Sequence, residues 1–455
     1  MKSYLDEYKR KLVSADEAAK LVKSNAIVEY GQFATKPVDF DRALGARAGQ
    51  PDLKNVTVRA TGSVLPVPEV VKNDPQQASF RYGSWYCTAL DRKMSDYGLC
   101  VHYPFNYHEA NGIGYNEDYS ARWPEVWCAQ VTPMDKHGFF NFGIGASHNR
   151  AMALSCKVAI VEVNTCMPRC LGGYEEGVHI SEIDYIIEGT NTPVFSTPAA
   201  PDPTPEERKI AELIVDEIHN GSCIQLGIGA LPNTIGLMLA ESDLHDLGVQ
   251  SEMFCDAFVA LYEAGKITNA AKGVDRFKTT YAFCLGTQDT YDFLDDNPLT
   301  AACPVVYTND PARVRLNDNF MSINNILEID LLSQICSESK GLRQISGTGG
   351  QLDFVIGAFE SKGGKSFLAF SSTFKDKDGQ MHSRIRPLLT PGAAVTVPRT
   401  MVNWVVTEYG KVNMKSLSIW ERADALINIA HPDFRDELIK EGEKMKIWRP
   451  TNKIE

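Results

Sequence analysis

The stretch Gln225-Leu-Gly-Ile-Gly-Ala-Leu-Pro-Asn233 marks the place where a predicted strand passes into a helix. An apolar run leads into Gly227 and Gly229, and Pro232 suits the first turn of a helix, where no N–H is needed. The amphipathic segment Glu206–His219 precedes this run. The order of helix, strand, glycine turn and helix predicts one repeating unit of an α/β domain.

A similar pattern occurs in the first half of the chain. Ser14–Gly31 contains an acidic helix-like stretch, a polar turn, a β-branched run and a glycine. Between the two patterns, Ser196–Pro205 carries four prolines in ten residues, and proline holds the backbone extended. We therefore predict two similar open α/β domains, residues 1–198 and 206–455, joined by this linker.

Composition and charge restrict the class of protein. The 455 residues are 44% hydrophobic and 23% charged, as in ordinary globular domains. The net charge is −12, whereas a nucleic-acid-binding protein needs a basic face. No window approaches about 18 consecutive apolar residues, and the charged segment Met1–Arg10 has no signal-peptide core behind it. The eleven cysteines are scattered, so we expect a reduced, cytoplasmic protein without nucleic-acid or membrane partners.

The glycines of the opening stretch also fit a ligand-binding loop. Glycine lets backbone N–H groups approach a ligand closely, and a helix N-terminus favours an anion. A dinucleotide site requires a third glycine, where this chain has Pro232. However, Glu252 lies 25 residues after Gly227 and can stand in for the acid that binds the ribose. An NAD-dependent oxidoreductase is therefore one alternative.

A second glycine-rich loop, Ser346-Gly-Thr-Gly-Gly-Gln351, indicates another close approach of the backbone to a ligand. Downstream, the segment 362–366 (KGGKS) is not a P-loop, because Phe359 stands where the earlier glycine is required. Residues 340–386 carry eight basic and four acidic side chains. In an acidic chain this segment is a candidate surface for a polyanionic small ligand, with an ordinary solvated surface as the alternative.

Glu252 is the candidate catalytic carboxylate. It follows the strand-like segment Leu247–Ser251 and precedes the helix-like segment Asp256–Ala264. The carboxyl ends of strands face the ligand crevice of open α/β folds, although any single glutamate can simply be solvated. No serine has glycine two positions before and after it, and no Cys/His set has zinc spacing. The sequence thus predicts neither a serine-hydrolase nucleophile nor a metal site.

Together these motifs resemble the class I CoA-transferases, in the butyryl-CoA:acetate and 4-hydroxybutyrate CoA-transferase branch of the acetyl-CoA hydrolase/transferase family. The resemblance covers nearly the whole chain. It rests on QLGIGALPN (225–233), SEMF (251–254), ISGTGGQLDF (345–354), SKGGKS (361–366), TEYG (407–410) and INIAHPDFR (427–435). It implies two related α/β domains of the NagB/RpiA/CoA-transferase type with the active site between them. It also implies coenzyme A as substrate and product, no permanently bound cofactor, and a homo-oligomer.

The resemblance implies a role for individual residues. Glu252 matches the catalytic glutamate that becomes a glutamyl-CoA thioester, and Gln32 is implied in the carboxylate pocket. Gln225 and Gly349 are implied as oxyanion-binding groups. The implied CoA-binding positions are Gly227, Ile228, Gly229, Ala230, Leu231, Gly350 and Lys362.

The predicted activity is ping-pong transfer of CoA from a short-chain acyl-CoA, with butyryl-CoA as the expected donor, to acetate or a similar acid. Three alternatives stay open beside the oxidoreductase. They are a 4-hydroxybutyrate CoA-transferase, an acyl-CoA hydrolase that uses the same glutamate, and a CoA-ester sensor without turnover.

Overall fold

The structure of the chain is a computed structural model. It describes residues 4–111, 123–173, 175–198, 201–227 and 229–448. Packing divides the chain into two compact units: residues 1–198, 252–255 and 280–308 form the first, and residues 199–251, 256–279 and 309–455 form the second. The first unit therefore includes residues 252–255 and 280–308, which the predicted second domain, residues 206–455, would contain.

Strands in the first 198 residues build a parallel sheet and a small antiparallel pair. They are β1 (Ile27–Tyr30), β2 (Val56–Ala60), β3 (Phe80–Ser84), β4 (Val101–His102), β5 (Val126–Val131), β6 (Phe139–Asn141), β7 (Val158–Val163), β8 (Gly177–His179) and β9 (Tyr185–Glu188). The sheet has the order β4-β3-β2-β1-β5-β7-β9, and all its pairs are parallel. β6 pairs with β8 antiparallel.

The strands of the later part of the chain are β10 (Cys223–Leu226), β11 (Gly248–Phe254), β12 (Thr279–Cys284), β13 (Thr300–Ala302), β14 (Phe320–Asn325), β15 (Glu328–Asp330), β16 (Ile335–Cys336), β17 (Ser339–Lys340), β18 (Arg343–Gln344), β19 (Lys365–Ala369), β20 (Thr373–Lys375), β21 (Met381–Ser383), β22 (Ile385–Arg386), β23 (Trp404–Thr407) and β24 (Gly410–Asn413). Eight of them form a sheet in the order β13-β12-β11-β10-β14-β19-β23-β24, with β24 antiparallel to β23. The others form small sheets.

Both large sheets follow the same connection order. The first strand of each sheet, β1 or β10, lies in the middle, the next three strands add on one side, and the later strands add on the other side. Gly31 directly follows β1, and Gly227 directly follows β10. The prediction of two similar open α/β sheets, drawn from the repeated pattern around these glycines, is confirmed.

Helices accompany the strands. They are α1 (Leu5–Lys11), α2 (Ala15–Ala19), α3 (Val38–Gly45), α4 (Glu69–Lys72), α5 (Ala89–Asp96), α6 (Asn149–Ser155), α7 (Pro205–Val215), α8 (Ala230–Glu241), α9 (Asp256–Glu263), α10 (Gln288–Leu294), α11 (Val305–Thr308), α12 (Pro311–Val314), α13 (Gln351–Glu360), α14 (Ile419–Asn428) and α15 (Pro432–Lys444). Short 3-10 turns lie at Phe33–Thr35, Tyr107–Asn111, Gly143–Gly145 and Ile180–Glu182. No helix of the described ranges is long and apolar enough to cross a membrane.

Local sequence explains where α2 and α7 start. Ser14 and Glu17 form a capping box at α2, and Thr204 and Glu207 form one at α7, where Pro205 occupies the first turn. Each box satisfies two backbone N–H groups that the helix leaves without a partner.

A buried carboxylate fixes the start of α3, the helix that follows the β1 loop. Glu162, on β7, accepts hydrogen bonds from the N–H groups of Val38 at 2.7 Å and Phe40 at 2.8 Å. Burial raises the pKa of Glu162 to about 7, against the effect of these hydrogen bonds. The loop that carries Gln32 is thus held between β1 and an anchored helix.

Candidate active site

Glu252 lies inside β11 rather than after it. The sequence places the end of this strand at Ser251, but the strand continues to Phe254, and α9 begins at Asp256. Gln250 and Ser251 are fully buried, while Glu252 is partly exposed. The segment Glu252–Cys255 belongs to the first unit, which also contains Gln32.

A series of buried hydrogen bonds in the first unit ends at Gln32. Tyr107 donates its hydroxyl hydrogen to Oε1 of Gln32 at 2.6 Å, and Oγ of Ser147 lies 2.7 Å from the hydroxyl oxygen of Tyr107. Nδ1 of His148 lies 3.2 Å from the same Oγ. All four residues are at most 3% exposed. We call these four residues the Gln32 network.

Burial and nearby charge set the protonation of this network. Burial raises the pKa of Tyr107 well above its ordinary value, and the negative charge of Glu252 raises it further. Burial, with a smaller effect of Arg59, lowers the pKa of His148 to about 4. The phenol and the imidazole are therefore both neutral near pH 7. The site combines one carboxylate with neutral hydrogen-bonding groups.

Aromatic side chains adjoin the network. The ring of Phe283 stacks on that of Phe33, with centroids 4.8 Å apart, and meets the ring of Tyr107 edge-on at 6.0 Å. Phe33 has φ +42° and Ser147 has φ +25°, values that non-glycine residues rarely adopt. Such backbone strain costs about 1–3 kcal/mol per residue and is concentrated at functional sites. The strained residues thus support a functional role for this part of the first unit.

In the second unit, the loop after β10 passes close to two asparagines. Gly229 has φ +127° and caps α8. A Cβ on Gly227 would lie 3.1 Å from Oδ1 of Asn324, and a Cβ on Gly229 would lie 3.0 Å from Nδ2 of Asn325. A side chain at either position would press on these asparagines at the end of β14, and at Gly229 the positive φ also favours glycine.

The other predicted CoA-binding positions of this loop lie at the start of α8. Ala230 is the first residue of the helix, and Leu231 is only 3% exposed. Ile228 lies outside the described residues.

Gln225, predicted as an oxyanion-binding group, belongs to a buried polar cluster. Its Oε1 accepts hydrogen bonds from Oγ of Ser322 at 2.9 Å and from Nδ2 of Asn324 at 3.0 Å. Its Nε2 donates to Oδ1 of Asn324 at 3.4 Å. The side chain thus has one N–H left for a ligand, and its orientation is fixed.

The second glycine-rich loop leads directly into a helix. Gly349 has φ +53°, and Gly350 is the N-cap of α13; both are buried. The buried carboxylate of Glu338 accepts a hydrogen bond from the hydroxyl of Thr348, in this loop, at 3.2 Å. Lys362, beyond the same helix, has an exposed side chain. The loop thus precedes α13 and the lysine follows it, so they lie at opposite ends of the helix.

In each unit, residues that adjoin the predicted positions were not predicted from the sequence. Tyr107, Ser147 and His148 carry no recognisable spacing, and Tyr107 lies 75 positions from Gln32. Asn324 and Asn325 could have been found, because they end a strand beside β10. That is the same signal that singled out Glu252. Across the described ranges, no group of three or more His, Cys, Asp or Glu side chains could hold a metal ion.

Comparisons with known proteins identify the family. The profile of the acetyl-CoA hydrolase/transferase N-terminal domain matches residues 1–198, and that of the C-terminal domain matches residues 286–442. The butyryl-CoA:acetate CoA-transferase of Anaerostipes caccae is 52% identical over 451 residues, which cover 99% of this chain and 100% of that protein.

Solved structures agree. RipA from Yersinia pestis matches with a TM-score of 0.88 and 35% identity, covering 98% of this chain and 100% of that one. The 4-hydroxybutyrate CoA-transferase of Porphyromonas gingivalis matches with a TM-score of 0.79 and 29% identity, covering 97% and 100%. The resemblance found in the sequence motifs is confirmed. This chain is an enzyme that belongs to the acetyl-CoA hydrolase/transferase family.

Proposed function

We propose that this enzyme transfers CoA from a short-chain acyl-CoA, with butyryl-CoA as the expected donor, to acetate or a similar carboxylic acid. The relative from Anaerostipes caccae, whose name gives this pair of substrates, supports the choice over its full length. One observation carries the proposal: Glu252 belongs to the same compact unit as Gln32, which is buried and accepts a hydrogen bond from the hydroxyl of Tyr107. A carboxylate that could act as the nucleophile and an amide that could bind an acid thus belong to one unit.

Two nucleophilic attacks give the first half of the proposed reaction. The carboxylate of Glu252 attacks the thioester carbonyl, so that a C–O bond forms, the C–S bond breaks and CoA leaves as a thiolate. The thiolate then attacks the glutamyl carbonyl of the mixed anhydride, releasing the first acid and leaving a glutamyl-CoA thioester. A second carboxylate reverses both steps. The covalent intermediate conserves the thioester bond, so no net proton or electron is transferred.

The remaining predicted residues receive roles in this scheme. Gly227, Ile228, Gly229, Ala230, Leu231, Gly350 and Lys362 are proposed to bind CoA. Gln225 and the amide of Gly349 are proposed to stabilise the oxyanion that forms at each attack, an interaction typically worth about 10²–10³ in rate. Gln32 is proposed to bind the carboxylate of the acid.

Trapping the thioester on the protein tests the proposal. Incubation with butyryl-CoA, borohydride reduction and peptide mapping should find a reduced glutamyl site at Glu252. The variant Glu252→Gln should lack this adduct and lose at least about 10³-fold in kcat. Glu263→Gln, which changes an exposed glutamate on α9, is the matched control. It should keep the adduct at Glu252 and the wild-type kcat. An unmodified protein that does not consume butyryl-CoA would contradict the proposal.

Acyl-CoA hydrolysis is the second candidate, because the matching family includes hydrolases. Release of CoA from butyryl-CoA should be measured with and without added acetate. A transferase shows acetate-dependent turnover with parallel double-reciprocal lines, as expected for ping-pong kinetics. Equal turnover in both conditions would favour the hydrolase. Comparison of kcat/KM for butyrate and 4-hydroxybutyrate then decides between the two transferase activities.

A further inference from the structure

We infer that Tyr107, Ser147 and His148 are positioning residues that fix the carboxamide of Gln32 with its N–H groups available to the acid. This inference rests on the proposed function, because it assigns the recognition of the carboxylate to one amide. It explains how the Gln32 carboxamide is oriented to bind an anion, and it adds three residues to those that the sequence motifs indicate.

The number of hydrogens on each group decides which group donates and which accepts in the Gln32 network. A phenol has one hydrogen, and Tyr107 donates it to Oε1 of Gln32 at 2.6 Å. The hydroxyl oxygen of Tyr107 must then accept the hydrogen of Ser147, 2.7 Å away. The Oγ of Ser147 in turn accepts from Nδ1–H of His148 at 3.2 Å. Neutral His148 carries a single ring hydrogen, and this direction places it on Nδ1.

The reversed direction would present the wrong group. If Gln32 turned its amide over, Nε2 would donate to Tyr107, Tyr107 would donate to Ser147, and Ser147 would donate to an unprotonated Nδ1. The carbonyl oxygen of Gln32 would then be the group left for a ligand. A carboxylate only accepts hydrogen bonds, so the acid is bound only in the first direction. The tautomer of His148 and the orientation of Gln32 are therefore linked through two hydroxyl groups.

The amide nitrogen of Gln32 is available in the observed direction. Gln32 is 1% exposed, and its Nε2 has no hydrogen-bond partner among the residues that the structure describes. Buried polar groups without partners are rare and unfavourable, and a functional site is one place where they persist. A bound carboxylate supplies the missing acceptor.

The backbone holds Ser147 in place for this role. Its N–H donates to the carbonyl of Ala282, and its carbonyl accepts from the N–H of Val305, both at 2.9 Å. These two bonds keep Ser147 at φ +25°, a conformation that glycine adopts more readily. Serine at this strained position supplies the hydroxyl that lies between Tyr107 and His148.

A double-mutant cycle tests the inference. Tyr107→Phe, Ser147→Ala and Ser147→Gly each remove one hydroxyl, and each should lower kcat/KM for acetate by about tenfold, the effect of one lost hydrogen bond. Ser147→Gly also relieves the backbone strain, so it separates loss of the hydroxyl from loss of folding. In a Gln32→Ala background the same changes should have less than about a twofold effect, because their only target is absent.

Two results would overturn the inference. One is that the three variants keep the wild-type kcat/KM for acetate. The other is that their losses multiply unchanged in the Gln32→Ala background, which would indicate a general structural role. Trapping of glutamyl-CoA in the wild-type enzyme is measured alongside. Its absence there would contradict the proposed function itself, whereas a trapped wild type with unaffected variants contradicts only the positioning role.

Discussion

A β-carbon on Gly62 would lie 2.1 Å from Cε1 of Phe33, far inside van der Waals contact. Phe33 follows Gln32 directly, has φ +42° and stacks on Phe283. The missing side chain at Gly62, two residues after the end of β2, therefore provides the space in which the Phe33 ring lies. Through this contact, a loop glycine affects the position of the residue next to Gln32.

We expect Gly62→Ala to lower both thermal stability and kcat/KM for acetate. Alanine at φ +71° is strained by about 1–2 kcal/mol, and the new methyl group must also displace the Phe33 ring. Gly98→Ala is a close control, because Gly98 has φ +72° but no atom within 4 Å of the added carbon. Thermal unfolding and steady-state kinetics should show a larger loss for Gly62→Ala. Equal effects of the two substitutions would mean that the contact with Phe33 contributes neither to thermal stability nor to kcat/KM for acetate.

Sequence reasoning reached the sheets because their signals are local. The runs that end before Gly31 and Gly227 form the equivalent strands β1 and β10. The helix-like stretch at the start of Ser14–Gly31 forms α2, which already ends at Ala19, and Asn25 lies in the turn before β1 with φ +68°. Propensity carries little information about such an endpoint, because helix ends are the least sharply defined part of a helix.

The surroundings of Gln32 and Glu252 are less predictable from the sequence than the sheets. The strand that contains Glu252 continues to Phe254, three residues beyond the predicted end at Ser251. The link from Gln32 to His148 depends on side-chain rotamers and on backbone contacts with residues 280–308. Neither kind of information is present in the spacing of residues along the chain.

His148 should make stability fall in mild acid. Its pKa in the folded enzyme is about 4, whereas an unfolded histidine has a pKa of about 6.5. Between these pH values the unfolded chain binds a proton at this histidine and the folded chain does not. The contribution of neutral His148 to the free energy of unfolding is therefore fully present above about pH 6.5 and is lost as the pH decreases toward 4. At pH 5 the loss is about 2 kcal/mol.

Thermal unfolding at pH 7.5 and pH 5 measures this effect. The unfolding temperature of His148→Gln should decrease less between these two conditions than that of the wild type. His137→Gln, which removes an exposed histidine, is the control and should decrease as the wild type does. Equal decreases in the wild type and His148→Gln would show that His148 does not stay neutral in the folded enzyme.

Thiol reagents should distinguish Cys166 from the other cysteines. None of the eleven cysteines, all within the described residues, forms a disulfide bond; Cys166 is exposed, Cys156 and Cys255 are partly exposed, and the rest are buried. Burial also raises the pKa of Cys156 to about 12, which suppresses its reactive thiolate. A maleimide added to the native enzyme should therefore modify about one thiol rapidly, and Cys166→Ser should abolish this fast phase. Rapid modification of several thiols would contradict the observed burial.

Glu338 should affect the binding of acyl-CoA through the second glycine-rich loop. Its buried carboxylate accepts hydrogen bonds from Thr348 at 3.2 Å, from Thr396 at 2.9 Å and from Gln344 at 3.2 Å. A carboxamide offers one acceptor in place of two and adds donors, so Glu338→Gln should loosen the loop that precedes Gly349 and Gly350.

We expect Glu338→Gln to raise KM for butyryl-CoA by roughly tenfold, as loss of one or two hydrogen bonds in a binding loop implies. Thr348→Val, which removes the loop's own contact, should give a similar change, and the double variant should add little, because both substitutions break the same bond. Glu437→Gln, at an exposed position of α15, controls for loss of a carboxylate. An unchanged KM in both single variants would show that the loop keeps its conformation without Glu338, and would separate this carboxylate from substrate binding.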